Sequence, residues 1–534
     1  MSNCTATPTS FFLQKYNIFS KIDSCLDRSI AVRAIIATPT WPTGRLSCYV
    51  AAACVLLAVY IIRPAEQQKP NFPFYKAAKA KWIFDAEILI RHSYNKFYDR
   101  VYQIKATEGL QVLIPARFIS ELKGLPEHIL SATEAVNDAM LSKYTKFSLG
   151  HNGDMLSAVI RTKLTQNLAR LVPQLRKEIE YVVATEFPTC DAADWTPVKV
   201  HPFGLRAIAR LSGRAFVGLS ISRKEEWMDT SINFAIHVFM AVIRLQFIPS
   251  WLRPIGQYLV TDLRRIRADI TRGQAMLQPI IEERLRDMDT PGYEKPDDLI
   301  QWLLDTLPPS ERHDYRAQTE MQLVLSAASI HTTNNLLADC IFDLAAYPGV
   351  QDALRQESIE VLCNDEAWAR KDSLARLKKM DSFIKEVQRV SGNITGFIRK
   401  VMRPIVLSDG THLPSGTRLL APQAGYSQDE RFYPGADVFD PMRFFQQRSG
   451  HQFHFTSIGD ANMNFGAGKH ACPGRFFAGN EIKMMLAYYL INFEMKLQQG
   501  QRRPYPMMVM MSKTPDPNGE VLFRRRTVDR VDGD

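Results

Sequence analysis

The stretch that decides the reading is Phe465-Gly466-Ala467-Gly468-Lys469-His470-Ala471-Cys472-Pro473-Gly474, followed by Arg475-Phe476-Phe477-Ala478. One cysteine stands among small residues, with an aromatic residue, basic residues and two glycines upstream. Glycines allow backbone to come close to a flat partner. Backbone N–H groups turned toward sulfur stabilise a thiolate, and a bound metal keeps it deprotonated. The residue types therefore suit a thiolate held against a flat metal macrocycle. A buried structural cysteine after a glycine-rich turn is the plainer alternative at this point.

The run resembles the haem-binding loop of the cytochrome P450 superfamily, Phe-x-x-Gly-x-Arg/His-x-Cys-x-Gly. That resemblance makes Cys472 the proximal iron ligand of a haem b. It makes Phe465, Gly466, Gly468, His470 and Gly474 the loop residues around the cofactor. It also implies a mainly α fold with smaller β-sheet portions, placed around Leu407–Leu420 and near the C-terminus. Further motifs follow the family's order. Phe383-Ile384-Lys385-Glu386-Val387-Gln388-Arg389 puts Glu386 and Arg389 on one helical face; alone, such a pair is ordinary. With Arg443 in Phe439-Asp440-Pro441-Met442-Arg443-Phe444 it matches the family's buried charge network, whose role is structural. Arg399, in an extended stretch, and His470 correspond to propionate partners. Arg161 matches the arginine of a Trp-x-x-x-Arg helix, although Ser157 occupies the tryptophan position.

Met321 to about Tyr347 reads as a long apolar helix interrupted by Ala327-Ala328-Ser329-Ile330-His331-Thr332-Thr333-Asn334. Small residues there suit either a flat cofactor or a close helix contact. The family's Ala/Gly-Gly-x-Asp/Glu-Thr motif falls on Ala328 to Thr332, which makes Thr332 the hydroxyl of the oxygen-activating side. Ser329 replaces a glycine and His331 replaces the acid of the proton relay. Histidine is itself able to carry protons near neutral pH. The catalytic candidates are Thr332 and His331.

A net charge of +10 raises nucleic acid as a partner, but the basic residues are scattered and no nucleic-acid motif or zinc spacing occurs. An anionic membrane surface or an acidic redox protein suits that balance better. The eight cysteines follow no disulfide spacing and contain no CxxC. Leu46 to Ile62 is uncharged and, at about 1.5 Å per residue, approaches the length of a transmembrane helix. The expected organisation is a lumenal segment at 1–45, an anchor at 46–62, a proline-bearing linker at 63–75 and a catalytic domain at 76–534. The basic residues downstream favour a cytosolic domain on a single-pass anchor in the endoplasmic reticulum membrane, with a glycosylation sequon at Asn3. Phe239–Ile243 and Phe247–Leu252 offer a second membrane contact.

Resemblance places substrate contacts at Leu125–Tyr144, Ala327–Ile330, Ile394–Phe397 and Met507–Met511. Few formal charges fall there, which implies a bulky, largely apolar molecule. A similar Ile-His-Thr-Thr stretch occurs in fungal members that oxidise terpenoid-type secondary metabolites. No flavin or nicotinamide domain is visible, so the electrons are expected from an NADPH-dependent flavoprotein reductase, met by Lys469, Arg475 and Lys483. The expected function is a haem-dependent monooxygenase. The alternatives are a haem-thiolate isomerase or dehydratase that needs no reductase, and a non-catalytic haem- or ligand-binding relative.

Overall fold

The computed structural model describes residues 72–148, 152–446 and 454–527. The expected 1–45 segment, the 46–62 anchor, the Asn3 sequon and most of the linker lie outside the described residues. Phe74–Tyr75, counted with the linker, form a strand that pairs in parallel with Tyr102–Ala106. The folded unit therefore begins before residue 76.

The long helices are α1 (Leu168–Glu186), α2 (Val200–Phe216), α3 (Glu225–Phe247), α4 (Thr261–Asp287), α5 (Tyr315–Ala346), α6 (Pro348–Val361), α7 (Lys378–Ser391) and α8 (Arg475–Asn492). The expectation of a mainly helical chain with small sheets holds. α5 is buried along most of its length, polar residues such as Gln322, Asn334 and Asp339 included, and lies at the centre with α2, α3, α4, α7 and α8 packed on it. Its start is capped by Asp314, whose carboxylate accepts from the backbone N–H of Ala317.

Strands β1 (Phe74–Tyr75), β2 (Tyr102–Ala106), β3 (Gly109–Leu113), β4 (Leu130–Ser131), β6 (Gly396–Val401) and β9 (Arg418–Ala421) form a sheet in the order β1-β2-β3-β9-β6-β4. Between β6 and β9 lie β7 (Ile405–Val406) and β8 (His412–Leu413), which pair with each other. A turn at Leu413–Thr417 leads from β8 to β9, and Gly416, at φ +85°, supplies its left-handed residue. β10 (Phe493–Lys496), β13 (Glu520–Arg525) and β5 (Thr196–Lys199) form a second sheet. β11 (Met507–Val509) and β12 (Ser512–Thr514) make a hairpin.

Among the described residues, α3 alone is long and apolar enough to cross a membrane by length and composition. Trp227, Phe234, Val238 and Leu245 bury one of its faces in the core, so the fold uses it as a packed helix.

Candidate active site

The Cys472 loop is shaped by two left-handed glycines, Gly466 at φ +77° and Gly468 at φ +61°. A Cβ on Gly468 would fall 2.5 Å from the Lys123 carbonyl oxygen, so no larger residue fits without a shift. The Cys472 N–H donates to the Phe465 carbonyl at 2.7 Å and closes the loop. Phe465 packs edge-on against buried Phe455, 5.2 Å between centroids. Burial pushes the Cys472 thiol up, opposed by the backbone N–H groups of Gly474 and Arg475 and by the Arg475 charge. Arg475 also donates to the Cys472 carbonyl at 2.9 Å.

Arg399 lies on β6, buried, with Nη1 on the Ile398 carbonyl and Nη2 3.4 Å from that of Ala467 in the ligand loop. Burial pushes its guanidinium down to about 10, and it forms no ion pair among the described residues. His470 is half-buried with Nε2 2.9 Å from Glu127 Oε1, at ion-pair distance but without hydrogen-bond alignment. Burial, and then the Arg399 charge, lowers its pKa. Glu127 also accepts from Ser131 Oγ and the Ala132 N–H, at 2.5 and 3.0 Å. Sequence reasoning missed Glu127. Its only local signal is the helix start at Ser131, and the approach to His470 is tertiary.

Arg161 is exposed and donates to the Lys469 carbonyl at 3.1 Å and to Ser157 at 3.2 Å. It reaches the ligand loop, but from the surface, at a π-helical turn over Ile160–Leu164. Lys469 is exposed and Arg475 partly so. Lys483 is not available to a partner. It is buried, with Nζ 2.6 Å from Asp381 and 3.0 Å from the Leu374 carbonyl.

Glu386, Arg389 and Arg443 come together as a buried network. Arg389 donates to both Glu386 oxygens at 2.8 and 2.7 Å, and Arg443 Nε lies 3.2 Å from each. The remaining guanidinium donors go to carbonyls, including Ser427, Ala436, Pro434 and Gly435. Arg443 is presented by a short turn whose N–H groups at Phe444 and Phe445 donate to Ser382 on α7.

In the middle of α5, Ala328 and Thr332 are exposed and Leu325, Ser329 and Leu336 half-exposed, while the flanking turns are buried. An accessible stripe on a surrounded helix marks a cleft inside the fold. Thr332 Oγ1 donates to the Ala328 carbonyl at 2.7 Å. His331 turns elsewhere: its Nε2 lies 3.1 Å from the Ile232 carbonyl on α3. Burial lowers its pKa, so the ring is neutral. Of the expected pocket segments, Ile394 packs in one cluster with Met508 and Met511. Leu125 packs beside Phe397 in another.

This donor set fits a haem. A thiol carrying two backbone N–H groups, a glycine cradle and a buried guanidinium whose acceptors among the described residues are carbonyls suit an anionic macrocycle held through sulfur.

The family model for cytochrome P450 matches residues 144–523. This chain belongs to the cytochrome P450 family. A relative, the "Cytochrome P450 monooxygenase AN1598" of Emericella nidulans, is 33% identical over 504 residues, covering 91% of this chain and 93% of its own. The "Ent-kaurene oxidase" of Gibberella intermedia is 31% identical over 458 residues, covering 84% of this chain and 85% of its own. Among solved structures, "Retinoic acid bound cyanobacterial CYP120A1" aligns with a TM-score of 0.66 at 18% identity, over 86% of this chain and 99% of that one. That likeness concerns the fold. As a P450 monooxygenase, the protein is an oxidoreductase whose cofactor is a haem held by a cysteine thiolate.

Proposed function

We propose that this P450 oxidises a bulky, largely apolar small molecule of terpenoid type, with Cys472 as the thiolate that would hold its haem. The Cys472 loop carries the assignment, because its sulfur receives the backbone N–H groups of Gly474 and Arg475. A relative named for ent-kaurene oxidation supports the terpenoid class. The bound haem supplies oxygen activation and oxygen transfer to a C–H bond or alkene.

The chain's own residues hold and screen. With haem bound, Arg399 and His470 would hold its carboxylates, and Phe465 with its glycines would close the loop that presents Cys472. Thr332 sits on the accessible stripe of α5, where its hydroxyl holds a proton at Oγ1. His331, neutral, keeps a proton at Nε2 against the Ile232 carbonyl and leaves Nδ1 as an acceptor. Arg161 steadies the ligand loop from outside.

The electron source is an NADPH-dependent flavoprotein reductase, approached over exposed Lys469, Arg161 and Lys163 near the ligand loop. The protein works at the endoplasmic reticulum membrane as a single-pass protein with a cytosolic catalytic domain. Supporting that placement, Phe247, Trp251, Ile255, Tyr258 and Leu259 form an apolar run, each residue between 61% and 84% exposed. Runs of this kind on one face mark a membrane or protein contact.

The ferrous–CO difference spectrum of solubilised protein, beside Cys472→Ala, tests the assignment. A strongly red-shifted Soret band is expected only with Cys472. A band typical of imidazole-ligated haem in the wild type would overturn it.

A further inference from the structure

Glu481 on α8 is completely buried and forms no ion pair among the described residues. Among the described residues its one hydrogen-bond partner is Ser212 on α2, 2.9 Å from Oε1, while Oε2 has none. Ser212, also fully buried, lies 3.2 Å from Ser329 Oγ on α5. A carboxyl without a counter-charge at that depth stays neutral, and burial pushes Glu481 well above the usual carboxylate range.

A neutral acid has one proton to place. On Oε2 it would be an orphaned donor, whereas on Oε1 it reaches Ser212 and leaves only an under-satisfied acceptor at Oε2. Buried orphan donors are the rarer defect. With the proton on Oε1, Ser212 accepts it and passes its own hydrogen to Ser329. The hydrogen of Ser329 then has no acceptor among the described residues. Thr332 returns its hydroxyl to the carbonyl four residues back, but Ser329 makes no such bond. It is half-exposed on the stripe shared with Ala328 and Thr332.

We propose that Ser329 is a specificity-determining donor, fixed by Glu481 through Ser212, that takes an oxygen acceptor of the substrate. The preferred molecules are therefore apolar skeletons already bearing a carbonyl, ether or hydroxyl oxygen. This deepens the proposed function and rests on its cofactor assignment. Glu481 and Ser212 are positioning residues in this scheme, and no net proton transfer is required of them.

Adamantane and 2-adamantanone, equal in shape and differing by one acceptor, are titrated against the ferric protein while its Soret shift is followed. The wild type should bind the ketone about five- to tenfold tighter, the worth of one hydrogen bond. Ser329→Ala and Glu481→Leu should remove the preference. Glu481→Gln, whose amide N–H replaces the acid donor, should keep it. If Glu481→Leu does not fold, Ser212→Ala takes its place. In the infrared, the wild type should show a protonated-carboxyl stretch that Glu481→Gln removes and Ser212→Ala moves. No ketone preference in the wild type, a preference surviving Ser329→Ala, or absence of that stretch would overturn the proposal. Failure of the cofactor assignment would show separately, as loss of the thiolate ferrous–CO band.

Discussion

His331 places Nε2 3.1 Å from the carbonyl oxygen of Ile232, joining the central helix α5 to α3 where the family pattern has an acid. Burial lowers its pKa. A ring neutral in the fold and free to protonate in the unfolded chain makes the unfolded state the better proton binder. Its share of stability is present above the free-imidazole value of about 6.5 and is lost as pH falls toward the lowered folded value. His331→Gln keeps a donor for Ile232 without titrating. Melting temperatures between about pH 7.5 and pH 5 should fall less steeply for that variant. A residual slope is expected from His201 and His470, whose pKa values are also lowered. Equal slopes for variant and wild type would remove His331 from the account.

Glu386 holds two guanidinium groups where exposure is at most 5%. Glu386→Ala leaves both charges with carbonyl partners only. The loss should be about 3–5 kcal/mol, typical of breaking a buried ion pair. Thermal melts and the haem-loaded fraction after purification give the readout, with Glu386→Gln falling between. A variant melting with the wild type would mean that the carbonyls alone satisfy Arg389 and Arg443.

The ligand loop and the α5 island were legible because their chemistry is local. Two glycines, a cysteine and a break in an apolar helix are visible without neighbours. α7 was harder. Taken alone, its Glu386 and Arg389 read as an ordinary surface pair, yet Asp381, Lys385, Glu386 and Arg389 are all buried. Only the resemblance pointed inward, because their compensation comes from Arg443, Lys483 and backbone carbonyls distant in sequence. Lys483 failed for the same reason: nothing near it in sequence announces Asp381. Glu127, Ser212 and Glu481 were invisible, since the contacts that give them a role reach residues distant in sequence.

Arg399 is a buried cation whose hydrogen-bond acceptors here are the carbonyls of Ile398 and Ala467. If it meets the cofactor's carboxylate, Arg399→Ala removes a charge-assisted bond worth about 1.5–3 kcal/mol. Haem transfer to apomyoglobin should then accelerate about tenfold or more, and Arg399→Lys should recover part of the loss. Unchanged transfer would place the carboxylate contact elsewhere.

Arg503 donates to Asp339 at 2.8 Å and to Asp343 on α5, and to Ser391 at 3.2 Å. It fastens the segment leading into the Met507–Thr514 hairpin. Burial pushes Asp339 up to about 6 even with this cation beside it. Arg503→Ala should cost about 3–5 kcal/mol near pH 8, where both carboxylates are left charged. An acid with a raised folded pKa binds its proton more tightly in the fold. The deficit should therefore shrink as pH falls through about 6. Melts of variant and wild type at about pH 8 and pH 5 check this trend, which opposes that of His331. A deficit independent of pH would make the role of Arg503 one of packing.

The apolar run from Phe247 to Leu259 gives a test of orientation. Each exposed side chain that enters lipid contributes about 25 cal/mol per Å² of apolar area removed from water. A fluorophore on Leu259→Cys should therefore be quenched by brominated acyl chains when the full chain is in vesicles. A fluorophore on the exposed native Cys363 should stay bright. Trp251→Glu and Ile255→Glu together should release the labelled site 259 from quenching while leaving the ferrous–CO band unchanged. Equal quenching at 259 and 363 would show that the run does not face the bilayer.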